Sequence, residues 1–158
     1  EVSENARVGG VETVNGRISI GENVQVEGDV ESVSGNISIG AGSRVRGGIE
    51  AVNGAITVTR AELGGSIENV NGAITLEGAS LAQGIETVNG DILVGRDSVV
   101  HGDIRVRRPR GISLGRSAPP KVTIESGATV EGRLVFEREV AQTIAPGAKV
   151  AHAEPVER

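Results

Sequence analysis

The chain has 158 residues, a formal net charge of −5 and 37% hydrophobic residues, which is enough apolar material for one domain with a core. Phe136 is the only aromatic residue, and Trp, Tyr, Met and Cys are absent. A core without large aromatic side chains predicts a narrow, regular interior lined by Val, Ile and Leu. The acidic balance argues against nucleic acid as a partner, and no apolar run reaches the length of a transmembrane segment.

From the N-terminus onward, the sequence repeats a short motif. The tripeptide Val-Asn-Gly or Val-Ser-Gly recurs at spacings of 19, 19, 18 and 18 residues, beginning at Val14, Val33, Val52, Val70 and Val88. Between these motifs, aliphatic residues alternate with polar ones over about three to five positions, which is the period of a β-strand. Gly or Asn-Gly follows the strands, and these residues turn the chain sharply. Each repeat therefore predicts three short strands and three corners.

This pattern predicts an all-β fold, a single-domain parallel β-solenoid of the triangular β-helix type. We expect it to be right-handed, with about seven coils of 18–19 residues stacked at a rise of ~4.8 Å. One domain covers 1–158, with regular coils at 11–106, a basic excursion at 107–121, and C-terminal coils and a cap at 122–158. Three buried columns are predicted: Val11, Val30, Ile49, Ile67, Ile85 and Ile104; Ile18, Ile37, Ile56, Ile74 and Ile92; Val26, Val45, Leu63, Leu81 and Val100. A corner column is predicted at Asn15, Ser34, Asn53, Asn71 and Asn89.

The motif ISIG and the pattern V-x-G-D-[IV], seen in VQVEGDV and SVVHGDI and varied in TVEGRL, resemble the bactofilins. Bactofilins are polymer-forming bacterial cytoskeletal proteins built on a right-handed triangular β-helix. The segment ETVNGDILV is also similar to adhesin-type β-solenoid repeats of bacterial envelope proteins. The repeated Asn-Gly corner and the insertion after Ile104 depart from the bactofilin pattern. Neither resemblance implies a catalytic residue.

The sequence predicts no catalytic, cofactor-binding or metal site, and the chain is expected not to be an enzyme. His101 and His152 are predicted to face outward, and a metal site needs three or four converging ligands. β-Helical enzymes that cleave polysaccharides build a cleft from long loops. Here five successive coils keep their length to within one residue, which leaves no loops to form the walls of a cleft.

Two surface features are candidates for binding a partner. Period two places a column of carboxylates outward: Glu12, Glu31, Glu50, Glu68 and Glu86. The basic excursion contributes five cations and no acid: Arg107, Arg108, Arg110, Arg116 and Lys121. The carboxylates could bind cations or a basic partner, and the excursion could contact an acidic polymer, lipid headgroups or the carboxylates of a neighbouring molecule. Both features are also compatible with solvated surface without a partner.

The expected function is that of a structural scaffold in the bacterial cell envelope or cytoskeleton, with possible self-association. The alternative is a secreted, monomeric adhesion or binding module that uses its flat faces or its basic loop. Because the first residue is Glu1 and cysteine is absent, we expect a periplasmic or cell-surface protein, with the cytoplasm as the alternative. Pro146 and Pro155 in the last coil predict a cap, which favours a monomer or a salt-sensitive association over salt-resistant filaments.

Overall fold

The computed structural model describes residues 2–107, 119–138 and 140–157, with side chains as far as residue 151. In these ranges the chain is all-β, with parallel pairing throughout and no helix. The strands are β1 (Arg7–Val8), β2 (Val11–Asn15), β3 (Ile18–Ile20), β4 (Gln25–Val26), β5 (Val30–Ser34), β6 (Ile37–Ile39), β7 (Arg44–Val45), β8 (Ile49–Asn53), β9 (Ile56–Thr59), β10 (Glu62–Leu63), β11 (Ile67–Asn71), β12 (Ile74–Glu77), β13 (Ser80–Leu81), β14 (Ile85–Thr87), β15 (Ile92–Val94), β16 (Val99–Val100), β17 (Ile104–Val106), β18 (Lys121–Ile124), β19 (Thr129–Phe136), β20 (Ala141–Ile144) and β21 (Lys149–Glu157).

Each coil contributes one strand to each of three faces. The first face is a seven-stranded sheet in the order β20-β18-β15-β12-β9-β6-β3. The second face stacks β1, β4, β7, β10, β13 and β16, and the third stacks β2, β5, β8, β11, β14 and β17. The long strand β19 joins these two faces into one sheet because it pairs with both β16 and β17, and β21 pairs with β19. The result is a parallel β-solenoid of about seven turns, which confirms the predicted fold.

The three predicted apolar columns form the interior. On the first face, Ile56 lies in register with Ile37 on one side and Ile74 on the other, and all three side chains are buried. The columns that contain Ile49 and Val45 are paired in the same way on the other two faces. After the basic excursion the stack resumes close to residue 122, where the sequence predicts the C-terminal coils to begin, and the structure sets Val122 opposite Ile92. The narrow interior explains why the core contains only one aromatic side chain.

Backbone conformation at the corners selects the residues found there. At one corner the chain takes up left-handed φ angles in successive coils, for which Gly, Asn and Asp are best suited. Asn23, Gly42 and Asp97 follow this rule, but Arg60 occupies the same corner with φ 47°. At the Asn-Gly corner, Gly54 has φ 157°, and a Cβ atom there would collide with the carbonyl oxygen of Gly35. This corner therefore requires glycine as its second residue, whether it follows asparagine or, as at Ser34, serine.

Side chains at the other corners satisfy backbone groups of the next coil. The Asp29 Oδ1 atom accepts a hydrogen bond from the Gly48 N–H at 2.9 Å, and Asp103 Oδ1 accepts one from the Arg133 N–H at 2.7 Å. These contacts give a physical role to the aspartate of the V-x-G-D motif, since an unpaired backbone N–H is costly when it is shielded from water.

Candidate interaction surface

The five predicted carboxylates lie in one outward line on the third face, which is called here the Glu column: Glu12, Glu31, Glu50, Glu68 and Glu86. Each is the register partner of the next, and Arg105 takes the following position opposite Glu86. Strand pairing spaces these positions by ~4.8 Å. Two carboxylates at this distance repel each other by roughly 1 kcal/mol even in bulk water.

The Glu column is largely unneutralised. Within residues 2–107, 119–138 and 140–151, the only salt bridge to a column member joins the Arg107 Nε and Glu86 Oε1 atoms at 2.7 Å. The pKa of Glu50 is raised above its ordinary value, first by burial and then by the charges of Glu68 and Glu31. A hydrogen bond with Glu31 and the charge of Asp29 add to this effect. The centre of the column therefore holds negative charge at a cost, which a cationic group would relieve.

A line of exposed valines accompanies the Glu column. The exposed large hydrophobic residues of the described chain are Val14, Val33, Val52 and Val70, whose relative accessibility is 37–61%. Each stands two positions after a glutamate in the same strand, so both residues point outward. We call these four residues the Val column, and the two columns together the Glu–Val face. The sequence interpretation treated these valines only as markers of the repeat.

Beside the Val column, the asparagine corner forms a ladder of side-chain amides. Asn71 Nδ2 donates to Asn53 Oδ1 at 3.0 Å, and Asn89 Nδ2 donates to Asn71 Oδ1 at 3.0 Å. Arg138, which follows β19, closes the ladder because its guanidinium donates to Asn89 Oδ1 at 2.8 Å and to the Val88 carbonyl at 3.2 Å. One edge of the Glu–Val face is thus held by a continuous chain of hydrogen bonds.

The structure separates the predicted basic residues. Arg107 follows β17 and contacts the Glu column, as described above. Lys121 begins β18 inside the stack, where its backbone N–H donates to Asp91 Oδ1 at 2.8 Å and its side chain is exposed. Arg108, Arg110 and Arg116 lie outside the described residues.

The second face carries a shallow groove of about 590 Å³, bordered by charged side chains that pair with one another. Glu27 lies between Arg7 and Arg46, with nitrogen–oxygen distances of 2.8 and 3.1 Å. Arg44 pairs with Glu62 at 3.1 Å. Because these charges are already balanced within the molecule, this face has less unmatched charge to offer a partner than the Glu column.

His101 is exposed and pairs with Glu131, and His152 lies in β21. Among the residues that the structure describes, no group of three or more His, Asp or Glu side chains is arranged to hold a metal ion. The same part of the chain contains no helix long and apolar enough to cross a membrane.

Comparisons with models of known protein families, with curated proteins and with solved structures each gave no match. The resemblance to bactofilins and to adhesin-type repeats therefore stands on the sequence motifs and on the β-solenoid fold that they share.

Proposed function

We propose that this chain is a non-enzymatic structural scaffold, a bactofilin-like β-solenoid of the bacterial cell envelope or cytoskeleton. The observation that carries the proposal is the uninterrupted stack of coils from residue 11 to residue 106. No long loop leaves this stack, so its faces are flat and its grooves are shallow. Such a rod presents the same chemical groups at regular intervals, which suits assembly and display better than turnover of a substrate.

The electrostatics suggest how the rods associate. The basic excursion of one molecule would contact the Glu column of its neighbour. The salt bridge between Arg107 and Glu86 within one chain supports this mode, because it joins a guanidinium of the excursion to a carboxylate of the column. The remaining carboxylates, with Glu50 at the centre, stay available for a second molecule. Contacts between exposed charges weaken as salt screens them, so this mode of association is salt-sensitive.

End-to-end stacking is the other mode that the fold permits. Strands β1, β2 and β20 lie at edges of the described sheets, and a free strand edge can pair with another chain. The contact would consist of main-chain hydrogen bonds and an extended aliphatic column. It should persist at high salt, which distinguishes it from association through the Glu column.

Size-exclusion chromatography with light scattering, at low and at molar salt, tests the proposal together with negative-stain microscopy. We expect assemblies at low salt that dissociate at molar salt. The double variant Glu50→Lys/Glu68→Lys should abolish these assemblies. The control Glu62→Lys/Glu77→Lys changes the net charge equally on other parts of the surface and should leave assembly intact. Filaments that persist at molar salt would show the end-to-end mode instead. A monomer under all conditions would refute the scaffold.

The second candidate is a secreted, monomeric adhesion or binding module, favoured by the exposed Val column beside the Glu column. A partner that combines aliphatic and basic groups would cover both columns at once. In that case the double variant Val52→Ser/Val70→Ser should leave the protein monomeric and folded but should weaken its binding to that partner. The monomer would be the functional form.

A further inference from the structure

Four corners of the solenoid carry the dipeptide Asn-Gly: Asn15–Gly16, Asn53–Gly54, Asn71–Gly72 and Asn89–Gly90. Asparagine followed by glycine can modify itself, because glycine has no side chain to hinder its backbone nitrogen. That nitrogen attacks the asparagine Cγ atom, so an N–Cγ bond forms, the Cγ–Nδ2 bond breaks, and ammonia leaves with the proton from the backbone N–H. Water then opens the cyclic imide to aspartate or isoaspartate.

The attacking nitrogen must give up its proton, so a hydrogen bond from the glycine N–H hinders the reaction. The Gly54 N–H donates to the Asn71 carbonyl at 3.0 Å, and the Gly16 N–H donates to the Ser34 carbonyl at 2.9 Å. These bonds join successive coils and can break only when the coils separate locally. Folding thereby protects the asparagines that precede these two glycines.

Gly72 is different. Its backbone N–H donates a hydrogen bond to no acceptor within residues 2–107, 119–138 and 140–157. At the next corner the Asn89 N–H keeps the in-register bond to the Val70 carbonyl at 2.8 Å, but the Gly90 N–H turns to Thr87 Oγ1 at 3.2 Å. The equivalent acceptor for the Gly72 N–H would be the Asn89 carbonyl, which belongs to the same peptide unit as the diverted Gly90 N–H and accepts no bond from Gly72.

We propose that Asn71 is a site of spontaneous deamidation in the folded protein, and that Asn53 is protected by the bonded N–H of Gly54. The two sites form a natural matched pair, because both lie in the same hexapeptide, VNGAIT, and both asparagine side chains are exposed. Any difference between their rates must come from the fold. The ladder bond from Asn71 to Asn53 opposes the reaction, but an exposed side-chain bond exchanges readily with water and contributes little.

Deamidation would break the amide ladder at its centre. A carboxylate at position 71 cannot donate to Asn53 Oδ1, so two acceptors would face each other across adjacent coils. The new negative charge would also lie beside the Glu–Val face and would add to the repulsion along it. If isoaspartate forms, the extra backbone carbon shifts the following strand out of phase with its neighbours.

The experiment is incubation of the folded protein in mildly alkaline buffer, followed by trypsin digestion and mass spectrometry. Asn53 is the only asparagine of peptide 47–60, and fragment ions separate residues 69, 71 and 89 within peptide 61–96. We expect Asn71 to convert at least about tenfold faster than Asn53, which corresponds to about 1.4 kcal/mol for the hydrogen bond that protects Gly54. In urea the two sites should convert at equal rates.

Equal rates in the folded protein would overturn the proposal. So would a folded protein in which neither site converts while the unfolded chain converts at both. The structural consequence has its own test, because Asn71→Asp should lower the urea midpoint more than Asn15→Asp, whose side chain makes no ladder bond. Equal midpoints for the two variants would refute the role assigned to the ladder.

Discussion

Replacing Ile56 by alanine removes a side chain that is fully buried between Ile37 and Ile74. The transfer of apolar groups costs about 0.8 kcal/mol for each carbon removed, or roughly 2.5 kcal/mol in all. The cavity adds to this cost unless the neighbours collapse into it. Two backbone hydrogen bonds of 2.9 Å tie this strand to its neighbouring coils: the Ile56 N–H donates to the Ala73 carbonyl, and the Ile37 N–H donates to the Ala55 carbonyl. Little collapse is therefore possible. We therefore expect Ile56→Ala to lower the free energy of unfolding by ~2–5 kcal/mol.

Thr57→Ala is the matched control, because Thr57 follows in the same strand but points outward and is exposed. Its loss should be well under ~1 kcal/mol, as for most surface substitutions. Urea denaturation of the two variants and of the parent protein measures both values. Similar losses would mean that the strand phase, and with it every assigned column, is wrong.

The Glu column and the left-handed corner at Arg60 give two further predictions. Glu50→Gln should stabilise the protein by ~0.2–1 kcal/mol at neutral pH, because it removes repulsion from a cross-strand neighbour. Since the raised pKa means that the folded state holds this proton more tightly than the unfolded chain, the penalty appears as pH rises above 4.5 and is absent below it. The gain in stability from Glu50→Gln should therefore vanish in acid. The control Glu62→Gln, which loses a salt bridge, should show no gain. A gain that persists in acid would contradict charge repulsion as its cause. Arg60→Gly should stabilise by ~0.5–1 kcal/mol in urea denaturation, because it relieves a left-handed φ, and a net loss would show that the arginine side chain contributes more than its backbone strain costs.

The columns of the fold could be predicted because a solenoid repeats one local rule. Once Ile18 and Ile20 are assigned inward, period two fixes Ser19, and the 18- or 19-residue spacing transfers the assignment to every later coil. The same parity argument applied to Val11 and Glu12 places Val14 outward. The exposed Val column was therefore available from the sequence, although the interpretation overlooked it.

Other features depend on contacts that no local pattern encodes. Arg138 closes the amide ladder from a position 49 residues beyond Asn89. Asn69 occupies an inward position, where it is 4% exposed and donates to the carbonyls of Gly54 and Gly72 while its Oδ1 atom has no partner. The free N–H of Gly72 accompanies a change at the Asn89–Gly90 peptide of the next coil, whose N–H bonds to Thr87 Oγ1. Each of these depends on how neighbouring coils fit together, which the repeat spacing alone does not specify.

The central claim is that equivalent residues of successive coils stand in register one strand spacing apart. The chain contains no cysteine, so pairs of nitroxide labels can be placed cleanly on the first face. Labels on Ser38→Cys/Thr57→Cys lie on adjacent coils at ~4.8 Å, whereas Ser38→Cys/Thr75→Cys skips one coil and spans about 9.6 Å. Electron paramagnetic resonance should show strong spin–spin broadening for the adjacent pair and clearly weaker broadening for the pair that skips a coil. Equal broadening, or stronger broadening for the pair that skips a coil, would contradict the stacked solenoid and the surfaces derived from it.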